Sequence, residues 1–148
     1  MIIMSYKITG SGCYVPTVVQ KNNAFLGLSF LDNHGTKFNE NNEAIIDKFN
    51  SITGIEERKY INSELKTSDI AHIAAQKAIE DANVDPETID YIIVAHNFGD
   101  ISGDSKQIDT LPSLASRVKA KLKIKNPKCV AYDILFGCPG WVEAIIQA

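Results

Sequence analysis

The chain predicts an α/β protein in which a mostly parallel sheet is covered by helices, and three observations lead there. Two short, nearly continuous apolar runs, residues 89–95 and 128–134, have the composition of strands buried on both faces. Segments with helical spacing lie before, between and after them. The resulting order, strand, helix, strand, helix, strand, helix, is that of parallel strands joined by helical crossovers. In such sheets ligands collect beyond the carboxyl ends of the strands.

Taken in order, residues 6–14 alternate and end in Gly10-Ser11-Gly12-Cys13-Tyr14-Val15-Pro16, which reads as a strand entering a turn. Residues 22–42 are rich in Asn and Gly without a clean period, and predict a surface region with a short helix near 24–28. Ala44, Ile45, Phe49 and Ile52 follow a helical spacing over 42–51, and Gly54 stands where a stop is expected. Lys59-Tyr60-Ile61 suits a short strand. Thr67 or Ser68 then caps a helix carrying Ile70, Ile73, Ala74, Ala78 and Ala82, which halts before Asp85-Pro86. Its alanines suggest close packing against a sheet. The first buried strand follows, then a long polar stretch over 97–110. Leu111-Pro112-Ser113 opens a helix with Leu114, Val118 and Leu122 as its stripe, and Asn126-Pro127 ends it. The second buried strand leads directly into Phe136-Gly137-Cys138-Pro139-Gly140-Trp141, read as a turn and the first residues of a helix.

The composition bounds what the chain can do. Its 148 residues suffice for one ordinary domain with a core, and 45% hydrophobic and 22% charged residues suit a soluble globular protein. A formal net charge of −3 argues against general binding to nucleic acid or anionic membranes. No apolar run approaches the roughly 20 residues that span a bilayer, and residues 1–7 lack the pattern of a signal peptide. Met4 is a possible alternative start. Three cysteines, with no close pair and no zinc spacing, fit a reducing cytoplasm. No internal repeat or linker is visible.

Cys138 is the strongest candidate for chemistry. It ends a strand and begins a helix, where the helix dipole and free backbone N–H groups favour a thiolate. Gly137 and Gly140 permit close backbone approach, and Pro139 suits a first helical position. Local chemistry leaves two readings open: an activated nucleophile, or a small buried hydrophobe. Cys13 and Cys129 fall within strand patterns and read as packing residues. Of the three histidines, His34 lies in a polar loop and His72 beside an apolar helical stripe. His96 ends a buried strand and alone is well placed near a site, although a structural role is the simpler reading. No pair of them has ligand spacing, so no metal is expected. The run beginning Asp100-Ile101-Ser102-Gly103-Asp104 fails as a calcium loop: Ser105 replaces the required glycine, and no glutamate follows at the twelfth position. Gly10-Ser11-Gly12 lacks the third glycine of a dinucleotide site. The acid-free basic run Arg117, Lys119, Lys121, Lys123, Lys125, Lys128 could dock an acidic partner, though a solvated helix face explains it more simply.

Four stretches, in this order, resemble the ketoacyl synthase III family, 3-oxoacyl-[acyl-carrier-protein] synthases of the thiolase fold. They are Gly10 to Pro16, Thr53-Gly54-Ile55-Glu56-Glu57-Arg58, Pro112-Ser113 before its helix, and Ala131-Tyr132-Asp133 through Cys138-Pro139-Gly140-Trp141. The last is similar to the family's Asp-x-x-x-x-Cys-x-Gly-Phe element. The resemblance implies a thiolase-like α/β fold of which residues 1–148 are the N-terminal half, truncated within the helix after the nucleophile Cys138. It implies that Cys138 is acylated by a thioester and that a malonyl-carrier thioester then condenses with loss of carbon dioxide, in fatty-acid or polyketide-type synthesis. The Cys138 N–H would be one oxyanion donor. The assisting His and Asn come from the other half of the family's fold, and His34, His72 and His96 do not match them. No tightly bound cofactor is implied; acyl-CoA or acyl carrier protein thioesters are the substrates. The implied partners are acyl carrier protein, the missing half, and a second copy meeting residues 128–134 in a cytoplasmic homodimer.

Anchored on Thr53-Gly54-Ile55, the family's adenine-stacking tryptophan falls at Lys48 and its phosphate-binding arginine at Ile52, which favours an acyl carrier over coenzyme A as donor. The aromatic residue that usually precedes Pro112 is Leu111. With the long 97–110 loop, it implies a pocket for a longer or unusual acyl group. Two alternatives stand beside condensation: a non-catalytic thiolase-fold partner subunit, and an acyltransferase or hydroxymethylglutaryl-synthase-like relative using the same Cys. These 148 residues alone are expected to catalyse no condensation. Incubating the purified piece with acyl and malonyl thioesters checks this, and any released carbon dioxide would contradict it.

Overall fold

The structure, a computed structural model, describes residues 6–101 and 107–148. They divide into two compact units: residues 15–62, and the flanking segments up to 14 and from 63 onward. In the smaller unit, β1 (Val18–Lys21) pairs antiparallel with β2 (Glu57–Tyr60), placing Val18 opposite Tyr60 and Lys21 opposite Glu57. A 3-10 turn occupies Asn22–Phe25, slightly before the short helix expected near 24–28. Helix α1 (Asn42–Thr53) starts where the Asn41 side chain accepts the Glu43 N–H at 3.1 Å. It stops at Gly54, whose φ of 66° is the left-handed conformation that glycine adopts without a Cβ clash. The expected stripe is corrected: Ile46 is the buried residue of this helix, whereas Ile52 is 71% exposed. Phe49 meets Phe30 edge-on at 5.8 Å.

The larger unit carries the nucleophile candidate. Helix α2 (Thr67–Ala82) begins as the Asp69 carboxylate reaches back to accept the Lys66 N–H at 2.8 Å, and ends at Asn83 with φ 51°. Ser68 is therefore not a cap. It is buried inside the first turn, where it donates to Asp100. The expected strand at 6–14 is likewise corrected, since no described strand forms a ladder with it. This segment lies instead along the alanines of α2. A Cβ on Gly10 would come within 2.5 Å of the Ala78 carbonyl oxygen, and one on Gly12 would overlap the Ala74 carbonyl. Two polar bonds fix the contact: Ser11 N–H to Asp81 Oδ2 at 2.9 Å, and Lys77 Nζ to the Cys13 carbonyl at 3.0 Å. The alanines thus serve close approach, but to glycine backbone rather than to a sheet.

Strand β3 (Tyr91–His96) pairs in parallel with β6 (Val130–Leu135), with Val94 opposite Asp133 and His96 opposite Leu135. Between them run the two-residue strands β4 (Asp100–Ile101) and β5 (Ile108–Asp109), which pair antiparallel, and helix α3 (Leu114–Lys121). Helix α4 (Gly140–Gln147) follows β6. Among the described residues one of three ladders is parallel, so the parallel character lives in β3 and β6 rather than in a majority of strands. The calcium-loop candidate and Met4 fall partly or wholly outside the described residues.

Strand alternation assigns the two helices to opposite faces of this pair. Asp133 and His96 share one face, and Asp133 accepts N–H groups from the start of α3. Ala95, Ile93 and Tyr132 share the other. There a Cβ on Gly140 would lie 3.4 Å from that of Ala95, and Tyr132 Oη–H meets Gln147 at 3.0 Å. On the first face Leu114, Ala115 and Val118 are almost fully buried, and α2 packs outside α3. The Lys121 ammonium ties α3 to Asp69 of α2. Burial pushes the Asp69 carboxyl up, but the Lys121 ammonium and the Lys66 N–H together hold it below its ordinary value of 3.8.

Two outcomes follow from this packing. Gly12→Ala should cost about 1–3 kcal/mol of stability in urea denaturation, the usual penalty for forcing extra volume into a filled contact; an unchanged midpoint would contradict the close approach. Because the folded state lowers the Asp69 value, its contribution is present above 3.8 and is lost as pH falls through the lower folded value. Asp69→Asn should therefore lose stability less steeply than the parent on acidification, with the two curves converging at the acid end.

Candidate active site

Cys138 stands beyond the carboxyl end of β6, as expected, and is exposed. The chain leaves β6 through Phe136, whose N–H donates to the His96 carbonyl at 3.2 Å. Residues Gly137, Cys138, Pro139 and Gly140 then form a tight turn closed by the Gly140 N–H on the Gly137 carbonyl at 2.8 Å. Pro139 precedes α4 with φ −73° and ψ −10°, and its carbonyl accepts the Val142 and Glu143 N–H groups at 3.0 and 3.1 Å. Helical bonding thus begins one residue after the thiol. Gly140 is closely packed here: a Cβ would lie 3.2 Å from the Phe136 Cβ, a tight contact. Trp141 and Phe136 flank the turn and are largely exposed.

Five residues before Cys138 stands Asp133, whose carboxylate is 7% exposed in the middle of β6; the strand itself is half-buried, with Val130 and Leu135 exposed, rather than buried on both faces as expected. Asp133 Oδ1 accepts the Ala115 N–H at 2.8 Å, and its Oδ2 accepts the Leu114 N–H at 2.7 Å and lies 3.0 Å from His96 Nε2. Two first-turn amides of α3 and the positive helix end thereby compensate the buried carboxylate. His96 Nδ1 accepts the Gly99 N–H at 2.9 Å. That bond assigns the ring proton to Nε2, directed at Asp133. Both ring nitrogens are occupied within 4% side-chain exposure, so the imidazole has no free nitrogen to act as a base on Cys138. The placement of His96 near the site holds, and so does its structural role.

A second cluster holds β4 and β5. Asp100, 2% exposed, accepts the Ser68 N–H and hydroxyl, each at 2.7 Å, and Arg117 Nη1 at 2.8 Å. The same guanidinium donates to Asp109 at 2.7 Å and to the Leu111 and Pro112 carbonyls at 2.9 Å each. This Arg117 hydrogen bond holds the Asp109 carboxyl below its usual value, and the two aspartates raise Arg117 in turn. The basic run is therefore not one exposed face. Arg117 binds Asp100 and Asp109, Lys119 caps the Asn126 and Cys129 carbonyls at 2.8 and 2.7 Å, and Lys121 binds Asp69. Lys123, Lys125 and Lys128 remain at the surface.

The remaining candidates separate from this site. His34 is an exposed loop residue of the smaller unit, and His72 lies on α2 with a buried Nδ1 that has no partner. Cys129 is buried, as its packing role requires, but Cys13 is exposed because its segment joins no sheet. Among the described residues no cluster of His, Cys, Asp or Glu could hold a metal ion, and no helix is long and apolar enough to cross a membrane. In the smaller unit, Arg58 of the Thr53–Arg58 motif donates to Asn22 at 2.9 Å and lies over the Phe25 ring at 5.4 Å. These three, with Phe30, Ile46, Phe49 and Tyr60, line a cavity of about 210 Å³.

Sequence reasoning passed over the functions of Asp133, Asp100, Ser68 and Arg117. A signal was available for Asp133, since a charge in an apolar strand must find partners if the strand is buried. Nothing local announced Asp100 and Ser68, which are separated in the chain and meet only in the fold.

Comparison with known proteins places this geometry. The chain is 33% identical over 145 residues to beta-ketoacyl-[acyl-carrier-protein] synthase III of Staphylococcus saprophyticus, covering 98% of this chain and 39% of that protein. It is 34% identical over 142 residues to beta-ketoacyl-[acyl-carrier-protein] synthase III 1 of Vibrio vulnificus, covering 96% of this chain and 38% of that one. The crystal structure of beta-ketoacyl-[acyl carrier protein] synthase III from Thermus thermophilus superposes with a TM-score of 0.69 at 31% identity, over 97% of this chain and 37% of that chain. No protein-family model matches. The chain spans about two fifths of the length of these relatives. With the parallel β3–β6 pair, its two covering helices and the Cys138 turn in view, the chain is similar to beta-ketoacyl-[acyl-carrier-protein] synthase III over about two fifths of that protein's length and has a thiolase-like α/β fold.

Proposed function

We propose that the protein carrying this chain is a condensing acyltransferase in which Cys138 accepts an acyl group and passes it to a malonyl-derived carbanion. The observation that carries this reading is the exposed Cys138 thiol in the turn between a parallel strand and a helix, within a stretch that resembles the nucleophile element of ketoacyl synthase III. The thiolate adds to the thioester carbonyl, the oxyanion collapses to acyl-Cys138, and the carrier leaves as a thiolate that takes up the proton Cys138 lost on ionising. The Cys138 N–H has no hydrogen-bond partner among the described residues, which leaves it available to the oxyanion. In the second half-reaction the malonyl thioester loses carbon dioxide. Its carbanion forms the new C–C bond, and the Cys138 thiolate is expelled as the 3-oxoacyl thioester is released. The His and Asn that assist decarboxylation in the family belong to sequence outside these 148 residues.

Acyl carrier protein is the favoured donor. Lys48 and Ile52, where the resemblance places the coenzyme A contacts, offer neither an indole nor a guanidinium, and both are exposed on α1. A homodimer through β6 is part of the same reading: among the described residues β6 has β3 as its strand partner on one edge.

The test is acylation followed by condensation in the full-length protein. Offered acyl-carrier thioesters, it should gain one acyl mass on Cys138, and Cys138→Ala should gain none. Malonyl-carrier should then release carbon dioxide from the acyl-enzyme. Absence of an adduct would sink the catalytic reading in favour of a partner subunit. An adduct that transfers without carbon dioxide release would favour a non-condensing acyltransferase.

A further inference from the structure

Beyond the ladder that pairs Ile134 with Ala95 and Leu135 with His96, the interval between Asp133 and Cys138 is held to β3 by two further bonds, and both belong to His96. The imidazole Nε2–H meets Asp133 Oδ2 at 3.0 Å, and the His96 carbonyl accepts the Phe136 N–H at 3.2 Å. Ile134 and Leu135, the last residues of β6, lie between these two anchors. The ring is itself fixed from behind. Gly99, at φ 74°, donates its N–H to Nδ1 at 2.9 Å, and a Cβ there would come within 2.6 Å of the Asp109 carbonyl oxygen. The Gly99 amide is thus held between the imidazole and the β4–β5 hairpin. Asp109 of that hairpin is bound by Arg117 of α3, whose first-turn amides bind Asp133.

We propose that His96, through Asp133, is a positioning residue for Cys138: the neutral Nε2–H imidazole locks the Asp133 carboxylate on the α3 amides and so fixes the strand end from which the Cys138 turn departs. This deepens the condensing-enzyme reading and, for its kinetic part, rests on it. The imidazole never touches the reacting atoms, because both nitrogens are already engaged. Its effect falls on how well the turn is ordered, and therefore on the rate at which bound thioester meets the thiol rather than on how tightly that thioester binds. The Asp133 carboxylate needs a donor from the His96 position to complete its set of three. Losing that donor leaves part of a buried carboxylate unsatisfied.

The variants His96→Ala, His96→Asn and His96→Gln in the full-length protein separate the roles. Gln can place an N–H near the position of Nε2 and so retain the donor to Asp133; Asn is too short to reach it, and Ala removes it. Two measurements are made on each. Backbone amide exchange over residues 134–141 reports the order of the turn with no thioester present. Single-turnover acylation of Cys138, at saturating and sub-saturating acyl-carrier, reports the rate and the half-saturation separately. His96→Ala and His96→Asn should each speed exchange over 134–141, and slow saturating acylation, by about tenfold with half-saturation unchanged, and His96→Gln should recover most of both. Exchange at the parent rate in a folded His96→Ala, or in His96→Asn should the alanine variant not fold, overturns the proposal. So does a loss that His96→Gln fails to recover. If the parent itself takes no acyl group, the condensing-enzyme reading fails, while the exchange measurement still decides whether His96 orders the turn.

Discussion

The Asp133 carboxylate at the start of α3 is the interaction on which the larger unit depends. A buried carboxylate is costly unless its oxygens are matched by donors. Here the donors are the Leu114 and Ala115 N–H groups, which would otherwise be orphans of the first helical turn, and the His96 ring. One carboxylate thus resolves two problems at once, its own burial and the unpaired start of a helix. It also fixes the depth and direction with which α3 lies on the sheet. Leu114, Ala115 and Val118 become the buried face of α3 because the carboxylate holds the helix start there.

Around that point the polar groups are arranged in tiers rather than scattered. Asp100 repeats the same solution one layer out, taking the Ser68 amide and hydroxyl from the first turn of α2 and a guanidinium nitrogen from α3. Arg117 then reaches Asp109 and two carbonyls of the segment before α3. Bidentate and charge-assisted bonds of this kind order backbone that has few apolar contacts of its own. The short hairpin strands have that character, with Ile101 and Ile108 both exposed. β4 and β5 are held by Asp100, Asp109 and Arg117 instead.

Much of this was legible in the chain. The apolar runs located β3 and β6, Ser113 marked the start of α3, Gly54 marked the end of α1, and the Gly-Cys-Pro-Gly turn followed from glycine and proline chemistry. The cysteine fell where the parallel-strand argument placed it. What escaped had a common cause: it depended on partners distant in sequence. Residues 6–14 alternate like a strand, but a strand needs a neighbour, and Gly10 and Gly12 found the backbone of α2 instead. Ser68 looked like a cap because caps are local, whereas its acceptor, Asp100, lies on β4. The lysines after Arg117 looked like a solvated face because charge periodicity cannot reveal that a side chain turns inward to cap carbonyls.

The seating of Gly12 on α2 bears on the order in which the chain can assemble. The glycine and the helix belong to one unit, yet residues 15–62 intervene and form the other. Joining them while the intervening chain is unstructured would mean closing a long flexible loop, with the entropy that entails. If the inserted unit has already collapsed on its own β1–β2 ladder and α1, the loop is effectively shortened before the glycine segment must find its groove. The insertion would then be more than cargo carried by the unit that holds Cys138. Its early compaction would set how quickly the amino-terminal segment docks, and the route to the folded state would run from the inside of the sequence outward.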